Sequence, residues 1–213
     1  MRSRRGDGMY GAQILVLIAA LGSASASTNV VAAGEKVNID LLNLRLNQIP
    51  LANLTIDNVT DILGRPSLSE PYPEDVGAKI HYQDLGLTFW FVPPYMHPSR
   101  RLLMLEIYLS KALDPHTKTV FQPFRGKLAP AGGANWKARD TLKAFAAFGP
   151  KEQTPEQYER NVREALQKAG SPAEPVTPYY VVTVEVKSPA GRVVFFHEPA
   201  TTFLDRVVVS PGG

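Results

Sequence analysis

The sequence predicts an α+β protein of two tandem units, each with one or two helices packed on an antiparallel β-sheet. Two observations carry this. Leu63-Gly64 precedes the strand-forming run Gly86-Leu87-Thr88-Phe89-Trp90-Phe91, and Phe148-Gly149 precedes Gly191-Arg192-Val193-Val194-Phe195-Phe196. The strands of each unit are also joined by short connections, which impose antiparallel pairing. A duplicated helix-and-sheet unit builds a surface, so recognition is expected ahead of catalysis.

An export segment is expected first. Arg2, Arg4 and Arg5 precede an apolar run from Ala12 to Leu21, followed by the small-residue cleavage pattern Ala24-Ser25-Ala26. That run is about half of the ~20 residues needed to cross a bilayer, so cleavage after Ala26 is expected rather than anchoring. Taking 26 residues from 213 leaves 187, enough for one large domain or two small units sharing a core. It also removes three of the 23 basic and one of the 20 acidic residues, leaving 20 against 19. The mature chain is then nearly neutral, which predicts no nucleic-acid partner. No later stretch is apolar enough to span a membrane, and the chain contains no cysteine. Disulfides, thiolate chemistry and a lipidated cysteine are therefore excluded, and a periplasmic or secreted location fits.

Residues 27–36 read as a flexible leader, 37–113 as the first unit, 114–134 as a connection and 135–210 as the second unit. From Val37 to Leu46 apolar residues alternate with polar ones, predicting one or two half-buried strands. Thr55 can cap a helix carrying Ile56, Val59, Ile62 and Leu63, stopped by Gly64 and Pro66. Ser67 to Val76 contains two prolines and reads as a loop. Strands are expected over 78–84, 86–92 and 102–110. Alternation turns Ile80, Tyr82, Phe89, Phe91, Leu103, Leu105, Ile107 and Leu109 toward the helix, and His81, Thr88, Trp90, Met104, Glu106 and Tyr108 outward.

In the second unit Leu142, Phe145 and Phe148 recur at helical spacing before Gly149-Pro150. A further helix is predicted from Thr154, with Pro155 at its first position, Gln157 completing a capping box and an apolar stripe at Tyr158, Val162, Ala165, Leu166 and Ala169. Strands follow over 179–187, 192–197 and 203–210. Aligning the units makes Phe195, Leu204 and Val208 the counterparts of Trp90, Met104 and Tyr108.

This pattern, a helix ending in Leu-Gly-x-Pro over 55–66 and an aromatic-rich meander over 80–109, resembles the fold of beta-lactamase inhibitory proteins and of small outer-membrane assembly proteins of the BamE type. The resemblance covers most of residues 37–210. It implies two units whose sheets together make a protein-gripping surface, without the inhibitors' disulfides, since cysteine is absent. Inhibition of a particular enzyme does not carry over.

The usual marks of catalysis are missing from the sequence. The four histidines, His81, His97, His116 and His197, show no close pair at ligand spacing; His197-Glu198 and His81 with Asp84 come nearest to a site. There is no G-x-S-x-G elbow, and Gly132-Gly133 lacks the lysine and strand of a phosphate cradle. No catalytic residue, metal or cofactor is therefore expected. The outward aromatic and thioether groups are the positive signal, unless other parts of the chain cover them. The expected contact set to a protein partner is Trp90, Met104, Tyr108 and His81, the Pro93–Arg100 loop with Tyr95, Met96 and Arg100, and Phe195 and Arg206. Competing readings are a carrier of an apolar small molecule held between sheet and helices, and a hydrolase using His81 or His197 with a carboxylate.

Overall fold

The computed structural model describes residues 37–71, 77–93, 101–114, 118–171, 175–187 and 190–212. The export segment, the leader and most of the Pro93–Arg100 loop, with Tyr95, Met96 and Arg100, lie outside them. Among the described residues no helix is long and apolar enough to cross a membrane.

The chain is α+β, organised by one eight-stranded antiparallel sheet. Strands β4 (Leu68–Pro71), β5 (Ala78–Tyr82), β6 (Leu87–Phe91) and β7 (Leu102–Tyr108) form one meander. Strands β11 (Lys151–Gln153), β12 (Tyr180–Lys187), β13 (Ala190–His197) and β14 (Leu204–Pro211) form a second. The meanders meet at their last strands, giving the order β11-β12-β13-β14-β7-β6-β5-β4. Across that seam Ile107 pairs with Val207 and Leu105 with Val209.

Cross-strand pairing explains why this seam is stable. One inner row runs Ile80, Phe89, Leu105, Val209, Val193, Val184 across six strands, with no member more than 2% exposed. Burying each such side chain contributes about 1.5–3 kcal/mol, and a continuous row makes the two meanders share one core. Helix α1 (Ile56–Leu63) adds Val59 and Leu63 to that core. Thr55 caps it as predicted, and Asn58 completes a capping box that was not predicted: the Asn58 N–H donates to the Thr55 hydroxyl and the Thr55 N–H to the Asn58 side chain. Gly64 ends it at φ +80°, and the Tyr82 hydroxyl donates to the Gly64 carbonyl at 2.8 Å, tying the helix stop to the inner sheet face.

Helix α2 (Ala138–Ala144) runs into a 3-10 turn at Ala146–Phe148, and Phe145 meets Phe195 at 5.1 Å between ring centres. Helix α3 (Pro155–Lys168) has the predicted Thr154–Gln157 cap, but none of its residues is fully buried.

The Val37–Leu46 segment contributes β1 (Asn38–Asp40) and β2 (Arg45–Leu46) to a separate sheet with β3 (Ile49–Pro50) and β10 (Lys127–Ala129), in the order β10-β1-β2-β3. The connection also holds a small hairpin, β8 (Ala112–Leu113) with β9 (Val120–Phe121).

Three face assignments change. A register shift between Trp90 and Phe91 buries Leu102 and leaves Leu103 53% exposed, so Leu103 faces solvent rather than the helix. Phe195 pairs with Val207 and Val182 and is fully buried in the inner row, so it is core and not an outward contact. Aligning the units on Gly86 and Gly191 put β13 one residue out of phase, and a slip of one residue swaps the faces. Leu204, taken as the counterpart of Met104, is likewise buried.

Candidate functional site

The outer face of the large sheet carries the side chains that the alternation turned outward. Trp90 pairs with Met104, Thr88 with Glu106, and Tyr108 with Arg206 across the seam. Trp90, Met104, Glu106, Tyr108 and Arg206 are each half-buried. The geometry joins them around one carboxylate. Trp90 Nε1–H donates to Glu106 Oε1 at 3.1 Å, and the Tyr108 hydroxyl donates to Oε2 at 2.6 Å. The Arg206 guanidinium lies 3.8 Å from Oε2 and 4.5 Å over the Phe196 ring. Burial first, then the neighbouring Glu106 charge and the bond to it, push the Tyr108 phenol far above its ordinary range.

Two coverings border this face. The first is the β8–β9 hairpin, whose buried Phe121 stacks on Tyr108 at 4.5 Å and leans on the His81 ring at 5.4 Å. Its path crosses Gly86, at φ +64°, where a Cβ would come within 2.4 Å of the Gln122 carbonyl oxygen. Only glycine permits that approach. The second covering is α3, whose Tyr158 packs edge-on against Phe196 at 6.0 Å and Tyr179 at 6.1 Å. This Tyr158–Tyr179–Phe196 cluster was not anticipated from the sequence. Tyr158 stood on the predicted apolar stripe, but nothing local says that the stripe closes over the sheet's outward side.

Under the hairpin lies a buried polar cluster. His81 and Thr88 are fully buried, and Lys79 is 7% exposed. His81 Nε2 lies 2.5 Å from Glu70 Oε1 and Nδ1 lies 3.0 Å from Thr88 Oγ1. The Lys79 ammonium sits 3.1 Å from Asp114 and 3.6 Å from Glu70, and 4.6 Å over the Trp90 ring. The expected outward contact His81 is therefore sealed, and its carboxylate partner is Glu70 on the unforeseen strand β4 instead of the exposed Asp84. The reason is the covering by Phe121, which alternation within one strand does not reveal.

Glu70, His81 and Asp114 offer ligand atoms within 4.8 Å of one another, one such group among the described residues. Lys79 already supplies a cation there. A metal ion would have to displace the ammonium and break the Glu70–His81 contact.

His197 is built differently. Its Nδ1–H donates to the Thr202 carbonyl at 3.0 Å, and Thr141 Oγ1 lies 3.3 Å from Nε2. Burial lowers its pKa to about 4, opposed by the bond to Thr202, so the ring is neutral near pH 7. Its hydrogen-bond partners are thus a hydroxyl and a carbonyl, not a carboxylate.

The structure accordingly brings Trp90, Met104, Tyr108 and Arg206 together, and separates His81 and Phe195 from them by burial. Set against family models, characterised proteins and solved structures, the chain finds no match.

Proposed function

We propose that the chain is an exported, non-enzymatic protein-binding module of the periplasm or extracellular space. It grips a protein partner through the outer sheet face between the β8–β9 hairpin and α3. The observation that carries this reading is the preorganised set around Glu106: two aromatic residues on neighbouring strands held by one carboxylate, beside half-exposed Met104 and solvent-facing Leu103. Fixed aromatic and thioether anchors with a charged rim lose little entropy on docking, which suits a recognition surface. The two meanders joined at their last strands make one continuous sheet, a single rigid platform for such a surface. The catalytic alternative is disfavoured because His81 and Thr88 have no exposed surface with which to meet a substrate.

The test compares the mature chain with its Leu103→Ser variant, which leaves the Trp90–Glu106 bond in place, as bait in envelope extracts. A partner recovered by the parent chain and lost with the variant, at closely similar melting temperature, supports the proposal. Equal recovery by both overturns it.

A further inference from the structure

The seam sets two outer rows side by side. On either side of the Ile107–Val207 pair, Glu106 pairs with Val208 and Tyr108 with Arg206. From Glu106 one row continues through Thr88 to His81, and from Arg206 the other runs the opposite way through Phe196 to Val181. All four residues so reached are buried: Thr88 and His81 have no exposed surface, Val181 has 3% and Phe196 9%. The first two lie under the β8–β9 hairpin. The second two lie on the side that α3 covers, and neither belongs to the main core.

The two coverings are held by different forces. On the hairpin side the Gln122 N–H donates to the Gln83 carbonyl at 2.9 Å and the Phe124 N–H to the Tyr108 carbonyl at 2.7 Å, while Asp114 is paired with buried Lys79 at 3.1 Å. Lifting the hairpin breaks both backbone bonds and separates Lys79 from Asp114, each a costly step in a buried setting. Helix α3 has no such ties. Among the described residues its hydrogen bonds and its Glu159–Arg163 ion pair all close within 154–171. Its hold on the sheet is apolar, with half-buried Tyr158, Val162 and Leu166 on one stripe and the Tyr158 ring edge-on to Phe196 and Tyr179. When α3 lifts, its bonds travel with it and no buried charge is stranded. We infer that α3 is the movable wall of the outer face: it lifts while the sheet and the hairpin stay closed, and Val181 and Phe196 then extend that face beside Arg206. Tyr179 stays behind, because its hydroxyl donates to Asp205 on the sheet at 3.2 Å.

This inference is independent of whether the outer face binds a partner, and a chain without cysteine allows it to be tested one thiol at a time. Val181→Cys and Val182→Cys place the thiol on neighbouring residues of β12, the first on the α3 side and the second fully buried in the main core. Thr88→Cys places it under the hairpin. Reaction of each variant with a disulfide reagent is followed in urea concentrations below the unfolding transition. Position 181 is expected to react at least about tenfold faster than 182 and 88 with little dependence on urea, while 182 and 88 follow the slope of global unfolding. Equal rates and slopes at 181 and 182 overturn the movable wall, and a shallow slope at 88 overturns the fixed hairpin. Should a thiol variant fail to fold, amide exchange in the unaltered chain decides. A helix of 14 residues is marginal once undocked, so the Tyr158 and Ala169 amides, bonded to the Thr154 and Ala165 carbonyls, are expected to exchange with a shallower urea slope than the amides of β13 and β14. Equal slopes there overturn the inference as well.

Discussion

Trp90 and Tyr108 stand on neighbouring strands and donate to the two oxygens of a single carboxylate, Glu106, at 3.1 and 2.6 Å. Neither ring is free to swing without breaking a bond to a half-buried charge. Glu106→Gln can keep its one acceptor oxygen for the Trp90 indole but turns the other position into an amide donor, so the Tyr108 hydroxyl must switch from donor to acceptor and the charge that strengthened both bonds is lost. The exchange is expected to cost about 1–3 kcal/mol, read as a lower urea midpoint at unchanged slope, with the Trp90 indole N–H resonance displaced. An unaltered midpoint and indole line would show that Glu106 does not organise the face.

Lys79 is buried between two carboxylates and over Trp90. Replacing one member of a buried charge pair leaves the other uncompensated, so Lys79→Met is expected to cost about 3–5 kcal/mol in urea unfolding. Adding Asp114→Leu removes one of the stranded charges and is expected to recover part of the loss. A double variant as unstable as the sum of the two single ones would contradict this coupling.

The contrast between what was and was not legible in the sequence is physical. Thr55, Gly64, Thr154 and Gln157 act within one turn of chain, and their local chemistry fixed α1 and α3 as expected. The strands β5, β6 and β7 followed from alternation. Strand β4 did not, because Leu68, Ser69, Glu70 and Pro71 form a strand only where β5 offers an edge. That miss removed Glu70, the partner of His81. The burial of His81 depends on Phe121, forty residues away, and the burial of Phe195 on a phase that one shift in alignment reversed. Which sheet face is covered is a long-range property that no window of sequence carries.

His197 predicts a pH dependence of stability. Its pKa is about 4 in the folded chain, lowered by burial, against about 6.5 when unfolded. Between these values the unfolded chain binds more protons, so stability falls as pH drops from about 6.5 to 4 and is fully retained above that window. The total is at most about 3 kcal/mol at 1.36 kcal/mol per pH unit. His197→Gln is expected to flatten the slope in that range. Parallel profiles for parent and variant would show that the ring is not held neutral.

Helix α3 is capped well but contributes no fully buried residue. Thr154→Ala, which removes the hydroxyl that accepts from the Gln157 N–H, is expected to cost about 1 kcal/mol. Faster amide exchange should be confined to 155–168, leaving β13 and β14 protected. Acceleration spreading into those strands would mean that α3 is an integral part of the core.

The most direct measurement is photo-crosslinking from two positions in living cells, with a photoreactive residue placed at Leu103 on the outer face or at exposed Asp61 on α1. A discrete adduct is expected from position 103 and not from 61, and it should vanish when Trp90→Ala is added. Adducts of equal yield from both positions, or a 103 adduct indifferent to Trp90, would contradict a partner seated on the Glu106-centred face.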